Sequence, residues 1–173
     1  MIRAEVKRHG KAAVIVTHDK RILDLTDRVL CMTYRRYSMK AAVRYFTKTG
    51  NTKKLADAIA QELRIEAKEI TAPLEEKADV LFLCNSVYWA GVDGKVKQFI
   101  SDNKSNIGKV VNVSTAALIE SSYSQIKKLC EQSGVSVSDE EFHCKGSFKV
   151  MHKGKPDSED IQAVKAFAGK IVG

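Results

Sequence analysis

Residues 45–60 read YFTKTGNTKKLADAIA. An apolar segment ends, and three threonines and an asparagine crowd around Gly50. Apolar residues then recur at helical spacing, with Leu55, Ile59 and Leu63 backed by Ala56 and Ala60. KAAVRYF (40–46) ahead of the knot reads as a strand, so the knot sits where a strand hands over to a helix. The same alternation continues along the chain. IEAKEI (65–70) reads as a short strand, and DVLFLCNS (79–86) has the unbroken apolar run of a strand covered on both faces. Val96, Phe99 and Ile100 mark the next helix, KVVNVST (109–115) the next strand, and SYSQIKKLCEQSG (122–134) a helix closed by Gly134. VSVSDEEFHCKGSFKV supplies further strand material. Pro156 and Asp157 then open a last helix whose Ile161, Val164, Phe167, Ala168 and Ile171 share one face. Strand and helix in strict succession predict an α/β domain: a three-layer, doubly wound parallel sheet.

The composition fits that architecture. The chain has 173 residues, 44% apolar and 29% charged, as expected of one globular core of ordinary size. No stretch approaches the roughly 20 apolar residues that span a bilayer, and MIRAEVKRHGKAAVIV lacks a small-residue cleavage site, so the expected location is cytoplasmic, without membrane insertion. Cys31, Cys84, Cys130 and Cys144 form no CxxC pair, and His9, His18, His143 and His152 are equally scattered. Reduced thiols and no metal site are expected. The net charge of +8 is uneven, with nine Lys/Arg against four Asp/Glu in residues 1–38 and twenty against seventeen in 39–173. The lysines are interspersed with acids and form no aromatic-interleaved stripe, which argues against nucleic acid as a partner.

Ligands of doubly wound sheets sit beyond the carboxyl ends of the strands, which is where the knot lies. Thr47, Thr49 and Thr52 offer hydroxyls, Asn51 an amide, and Gly50 a backbone free to curl. Main-chain N–H groups at a helix N-terminus add an anion nest. A phosphate monoester suits these donors. Neither GxxxxGK[ST] nor a three-glycine dinucleotide fingerprint is present. Helix capping alone calls for one such hydroxyl; three around one glycine exceed it.

Thr47-Lys48-Thr49-Gly50-Asn51-Thr52 resembles the [ST]-x-T-G-x-T phosphate loop of flavodoxins, in the place where flavodoxins carry it. CNSVYWAGVDGKVKQFI (84–100), FHCKGSF (142–148) and KPDSEDIQAVKAFAGKI (155–171) extend the resemblance over about residues 39–173. It implies a flavodoxin-like five-stranded sheet of order 2-1-3-4-5, without a long insertion in the last strand, and FMN as cofactor. The FMN phosphate would rest on Thr47–Thr52, and the isoalloxazine ring would lie between two later loops. The first is Val87-Tyr88-Trp89-Ala90-Gly91, where Tyr88 or Trp89 would stack on the ring and a carbonyl near Gly91 would face flavin N5. The second is Ser114-Thr115-Ala116-Ala117, within a stretch, STAALIESS, that lacks the glycines and aromatic residue flavodoxins often have there. Flavodoxins are also acidic, whereas residues 39–173 are mildly basic, and Arg44 interrupts a strand expected to be central and buried.

GKAAVIVTHDKRILDLTDRVLCM (10–32) resembles a different family, the closing segment of an ABC transporter ATPase, with His18 in the place of the switch histidine. No Walker A, signature or Walker B sequence precedes it. Residues 1–38 are therefore expected to be a truncated remnant or extension, foldable as β-α-β, joined to a domain with its own plausible start at Met39. Its apolar strands motivate a hypothesis of homodimerisation through this segment. The expected activity is FMN-dependent electron transfer between redox protein partners, without a catalytic side chain. An FMN-dependent oxidoreductase acting on a small acceptor such as a quinone, or an interaction module that has lost flavin, are the alternatives.

Overall fold

A computed structural model describes residues 39–87, 91–116, 121–147 and 151–173. Strand β1 (Ala41–Tyr45) leads into helix α1 (Asn51–Leu63), followed by β2 (Ala67–Glu69) and β3 (Ala78–Ser86). Helix α2 (Gly94–Asn103), β4 (Ile107–Ala116) and helix α3 (Tyr123–Ser133) come next. The edge segments β5 (Ser136–Val137) and β6 (Phe142–Lys145) precede the final helix α4 (Ser158–Val172). All pairings are parallel, in the order β2-β1-β3-β4-β5, with β6 also on β4. The chain passes from β1 to β2 on one side and then returns to β3 on the other, so the winding reverses between β1 and β3.

The period-two alternation of the central strands sorts the core into two clusters, one on each face of the sheet. Leu81, Leu83 and Val110 pack with Val96, Phe99 and Ile100 of α2 and Ile126 and Cys130 of α3. On the opposite face Val43, Val80, Phe82, Val111 and Val113 meet Leu55, Ala56 and Ile59 of α1 and Val164 and Ala168 of α4. Each fully buried Val, Leu or Ile contributes about 1.5–3 kcal/mol relative to exposure. Helix ends follow their local chemistry. Gly134 closes α3 at φ 70°, and Asp157 opens α4 by accepting from the amides of Glu159 and Asp160 while Asp160 returns a bond to the Asp157 amide.

Two sequence expectations are refined here. The fifth position of the sheet is not one strand but two collinear pieces. Val137 pairs with Val110 and Phe142 with Val113, so the edge advances five residues while β4 advances three. Two residues are accommodated as a bulge, and Asp139 and Glu140 within it are exposed. Arg44, anticipated as an interruption, lies inside β1 at 6% exposure. Its guanidinium donates to the carbonyls of Ala72 (2.9 Å), Pro73 (2.8 Å) and Val43 (3.1 Å), tying the β2–β3 connection to the sheet. Burial of the guanidinium lowers its pKa, against the nearby carboxylates of Glu75 and Glu66. The fork geometry turns an apparent defect into a set of backbone ties.

The thiols follow their burial. Cys84 and Cys130 are free and buried, and Cys144 is free and half-buried. Desolvation pushes Cys130 up to about 11 and Cys144 to about 12. No helix among the described residues is long and apolar enough to cross a membrane. Residues 1–38, with the expected β-α-β extension, His18, Cys31 and the dimerisation surface, lie outside the described residues.

Candidate functional site: a threonine-rich turn at the sheet's reversal point

The last strand bond of the β1 exit runs from the Phe46 amide to the Cys84 carbonyl at 2.8 Å, and the chain then leaves the sheet. Thr47 Oγ1 accepts from the Gly50 amide at 3.0 Å, which closes the turn. Gly50 itself sits at φ 84°, a left-handed conformation that residues with a Cβ rarely adopt. Its carbonyl then accepts the first helical bond, from Lys54, at 3.3 Å. Asn51 is buried, and its Nδ2 bridges Thr49 Oγ1 (3.1 Å) and the Ser147 carbonyl (2.7 Å). Thr52 is fully buried and shares a hydrogen bond with Thr115 Oγ1 at 2.8 Å. The six residues of the loop are therefore held from three directions: by their own turn, by β4, and by the segment after β6.

These ties leave other donors uncommitted. Among the described residues, no acceptor meets the main-chain N–H groups of Thr49, Asn51, Thr52 and Lys53. The last three are the orphan donors of the first turn of α1, where the helix dipole is positive. Thr47 and Thr49 each accept a hydrogen bond and keep a hydroxyl proton for another partner. By contrast, Gly50's amide and the Thr52 hydroxyl serve the shape of the loop. Lys48 is exposed and pairs with Asp93 Oδ2 at 3.2 Å, with its ammonium also 5.9 Å from the Phe46 ring centroid. Asp93 caps α2 by accepting from the Lys95 amide at 3.1 Å. That amide, and then Lys48, hold its carboxyl below the usual range against the opposing effect of burial.

The two expected ring loops are placed differently from each other. Val87 follows β3 directly, and its amide reaches the Thr115 carbonyl at 3.3 Å. Tyr88, Trp89 and Ala90 lie outside the described residues. Gly91 has φ 95°, and a Cβ there would come within 2.5 Å of Gln125 Oε1. The same oxygen accepts from the Val92 amide at 2.7 Å, so α3 fixes the end of this loop. Ser114, Thr115 and Ala116 are not in a loop. They are the last residues of β4, paired with β3 and β6 and at most 3% exposed, because their hydroxyls find partners: Ser114 Oγ accepts from the Ser122 amide at 3.4 Å and Thr115 meets Thr52. Ala117 lies outside the described residues, which resume at Ser121.

Several participants were not singled out in the sequence. Ser147 offers its carbonyl to Asn51, and at Gly146 a Cβ would lie 3.3 Å from the Thr115 side chain and 3.4 Å from Asn51 Nδ2. Ser86 is the register partner of Thr115 and so projects on the same face of the sheet. Its Oγ is buried without a hydrogen-bond partner among the described residues, as is Asn85 Oδ1 on the other face. Polar residues inside runs that read as buried strands, NS in DVLFLCNS and N in KVVNVST, were the available signal. An uncommitted hydroxyl, free amides and a glycine-shaped turn suit a phosphate ester carrying further hydroxyl groups.

The doubly wound sheet, with a donor-rich turn at its reversal point, defines the class of open α/β domains whose ligand sites lie at that position. A family model described as a flavodoxin domain matches residues 42–172, and the chain belongs to that family. Among solved structures, it resembles a flavodoxin from the domain Archaea at 18% identity and a TM-score of 0.61, covering 78% of this chain and 96% of that one. Oxidised flavodoxin 1 from Bacillus cereus matches at 21% identity and a TM-score of 0.57, covering 77% and 97%. Rubredoxin oxygen:oxidoreductase from Desulfovibrio gigas matches at 14% identity and a TM-score of 0.60, with 77% of this chain aligned to 35% of that one. At such identities these likenesses establish the fold. No curated protein matches the chain significantly. Residues 1–38 lie outside the family match, and none of these comparisons supports their resemblance to an ABC transporter ATPase.

Proposed function

We propose that the chain binds FMN and carries electrons between redox protein partners. The observation that carries this reading is the set of uncommitted amides of Asn51, Thr52 and Lys53 at the start of α1, flanked by the Thr47 and Thr49 hydroxyls. A phosphate monoester accepts from such donors through several oxygens at once, and the helix dipole favours its charge. Lys48 is held by Asp93, so neutral donors form the principal cradle. FMN, when bound, supplies the redox chemistry itself.

In this reading Thr47 to Lys53 hold the phosphate, and the Ser86 hydroxyl on the Thr115 face is placed to meet a hydroxyl of the chain that follows it. Val87 to Gly91, including Tyr88 and Trp89, flank one side of the ring. The loop after Ala116 flanks the other, while Ser114, Thr115 and Ala116 support that loop from within β4. Gln125 ties the Val92 amide, just after the first ring loop, to α3, and the Lys48–Asp93 pair links the phosphate loop to the start of α2.

FMN and riboflavin differ in the phosphate, so parallel fluorescence titrations of the full chain test the assignment. A hydrogen bond to a charged group is worth about 1.5–3 kcal/mol, so Thr49→Val is expected to weaken FMN about 10- to 100-fold while moving riboflavin less than about threefold. Equal losses for both ligands would remove the phosphate from this loop. A wild-type chain that leaves FMN fluorescence unquenched would end the reading altogether.

A further inference from the structure

We propose that the edge of the domain around the turn 47–52 is a docking face for an acidic redox protein. That the partner is a redox protein rests on the electron-carrier reading; the sign of its surface rests on where the charges lie. In a parallel sheet covered by helices, the first turns of the helices share an edge with the carboxyl ends of the strands. Lys54 closes the first turn of α1, Lys95 and Lys97 lie in the first turn of α2, and Lys145 ends β6 opposite Ala116 of β4. Lys153 lies between β6 and α4, in a segment tied to the turn where the Ser147 carbonyl accepts from Asn51 Nδ2 at 2.7 Å and closed by the Ser147 amide on the Lys155 carbonyl at 3.1 Å. All five lysines are exposed, and none forms an ion pair among the described residues.

The carboxylates of this edge are mostly engaged in structure. Asp93, Asp157 and Asp160 serve the starts of α2 and α4 and pair with Lys48 and Lys155, and Asp57 pairs with Lys53. Among the described residues, Glu69 at the end of β2 and Glu159 are left without an ion pair, against the five lysines. The opposite edge is even. Lys40 and Lys68 pair with Glu76, Glu66 and Glu75 there, and the exposed Arg64, Lys77, Lys104 and Lys109 are matched in number by Glu62, Asp79, Asp102 and Glu131. Unpaired positive charge therefore exceeds unpaired negative charge on the edge that carries the turn, and not on the other. Met151, two residues before Lys153, is 39% exposed and adds an apolar point to the same edge. Capping carboxylates stand between the lysines, so a uniformly charged phosphate backbone would meet Asp93 and Asp157 as well. A folded partner sets discrete carboxylates against the lysines and seats Met151 on an apolar spot.

The test is an amide NMR titration of the isotope-labelled full chain, with and without FMN, using an acidic plant-type ferredoxin and a basic cytochrome c as probes. The ferredoxin is expected to give saturable shifts around Lys54, Lys95, Lys145 and Met151, with affinity falling about tenfold between about 20 and about 200 mM salt, and the cytochrome none. Exposed pairs are individually weak, so Lys145→Glu and Lys153→Glu should each cost about threefold and together about tenfold. Lys77→Glu with Lys104→Glu, on the opposite edge, should stay within about twofold of wild type. Equal affinity for the cytochrome, shifts confined to the opposite edge or to residues 1–38, or equal losses in the two double variants would overturn the proposal. So would a DNA duplex of about 20 base pairs that occupies this face more tightly than the ferredoxin, since the partner would then be nucleic acid. Unquenched FMN fluorescence ends the carrier reading by itself; the titration without FMN still decides the docking face, through saturation of the same amides or its failure.

Discussion

Thr52 and Thr115 offer the cleanest separation between a hydroxyl that shapes the site and one that serves a ligand. Their oxygens are 2.8 Å apart, and the residues are 0% and 3% exposed, so water cannot replace a missing partner at that spot. Thr52→Val keeps the branched shape and leaves the Thr115 oxygen buried and unpaired, and Thr115→Val does the reverse. An orphaned buried hydroxyl costs about 1–3 kcal/mol, so each single variant is expected to lose about 1.5 kcal/mol. The double variant replaces both polar groups by methyls of matching shape, a change that is nearly neutral. It should lose about 0.5 kcal/mol, which leaves a coupling of about 2.5 kcal/mol in favour of the pair.

The assay is urea unfolding of the full chain without flavin, monitored by far-UV circular dichroism and analysed by linear extrapolation. The slope should be common to all four proteins, since burial in the folded state is unchanged. Thermal midpoints should fall by about 6 °C in each single variant and recover most of that in the double, taking about 4 °C per kcal/mol for a domain of this size. A double variant that loses the simple sum of the singles would refute the reasoning. Each hydroxyl would then have its own partner, and β4 would not be tied to the first turn of α1 through this contact.

Three further outcomes follow from the same geometry. Arg44→Met leaves three carbonyls without their donor and is expected to cost about 2–4 kcal/mol in urea unfolding, and Arg44→Lys should not rescue it, because one ammonium cannot span the Ala72, Pro73 and Val43 carbonyls as a fork does. Gly91→Ala combines a residue at φ 95° with a Cβ placed 2.5 Å from Gln125 Oε1; a loss of about 2 kcal/mol is expected, reduced to about 1 kcal/mol when measured in a Gln125→Ala background where the steric part is absent. Asp93 has a folded-state pKa below its unfolded value near 3.9, so its contribution is present above that pH and is lost as pH falls through the folded value. Unfolding midpoints of wild type and Asp93→Asn should therefore differ by a constant amount from pH 7 to about 5 and converge below about 4; a gap that persists into acid would show that the charge on Asp93 is irrelevant.

Much of the frame was legible because burial leaves a periodic trace. The apolar runs of β3 and β4, the helical faces of α1 and α4, and the Gly50 turn all follow from residue type and spacing alone. The split edge was not legible. VSVSDEEFHCK alternates acceptably as one strand, and a bulge is a matter of register against β4, which a single chain does not display. Ser114 and Thr115 read as the end of the strand KVVNVST, while the flavodoxin resemblance places them with Ala116 in a loop beside the ring. They are buried strand because Ser122 and Thr52, 8 and 63 residues away, supply their partners. Arg44 misled in the same way, its fit depending on carbonyls 28 and 29 residues distant. Gln125 and Glu141 carry no local signature at all, being ordinary surface-compatible residues made specific by what they touch.

These long-range partners converge on the carboxyl end of β4. Thr115 holds the first turn of α1, Ser114 the amide of Ser122, and Asn112 joins Glu141 and Asn85, while Val87 leaves β3 with its amide on the Thr115 carbonyl. The Thr47–Thr52 turn and the residue that follows β3 are therefore both tied to β4, while Gln125 of α3 holds the Val92 amide and the Lys48–Asp93 pair links the turn to the start of α2. An exposed pair of that kind is worth at most about 1 kcal/mol and is weakened by salt, whereas bonds made inside the sheet are not exchanged with water. A change in a loop should then stay local, as with Thr49, and a change at the end of β4 should reach the proposed phosphate and ring contacts together. Strand geometry is stiff compared with loop geometry, so tying the Thr47–Thr52 turn and the exit of β3 to the end of β4 fixes their spacing in the absence of any ligand, as the proposed cofactor site requires.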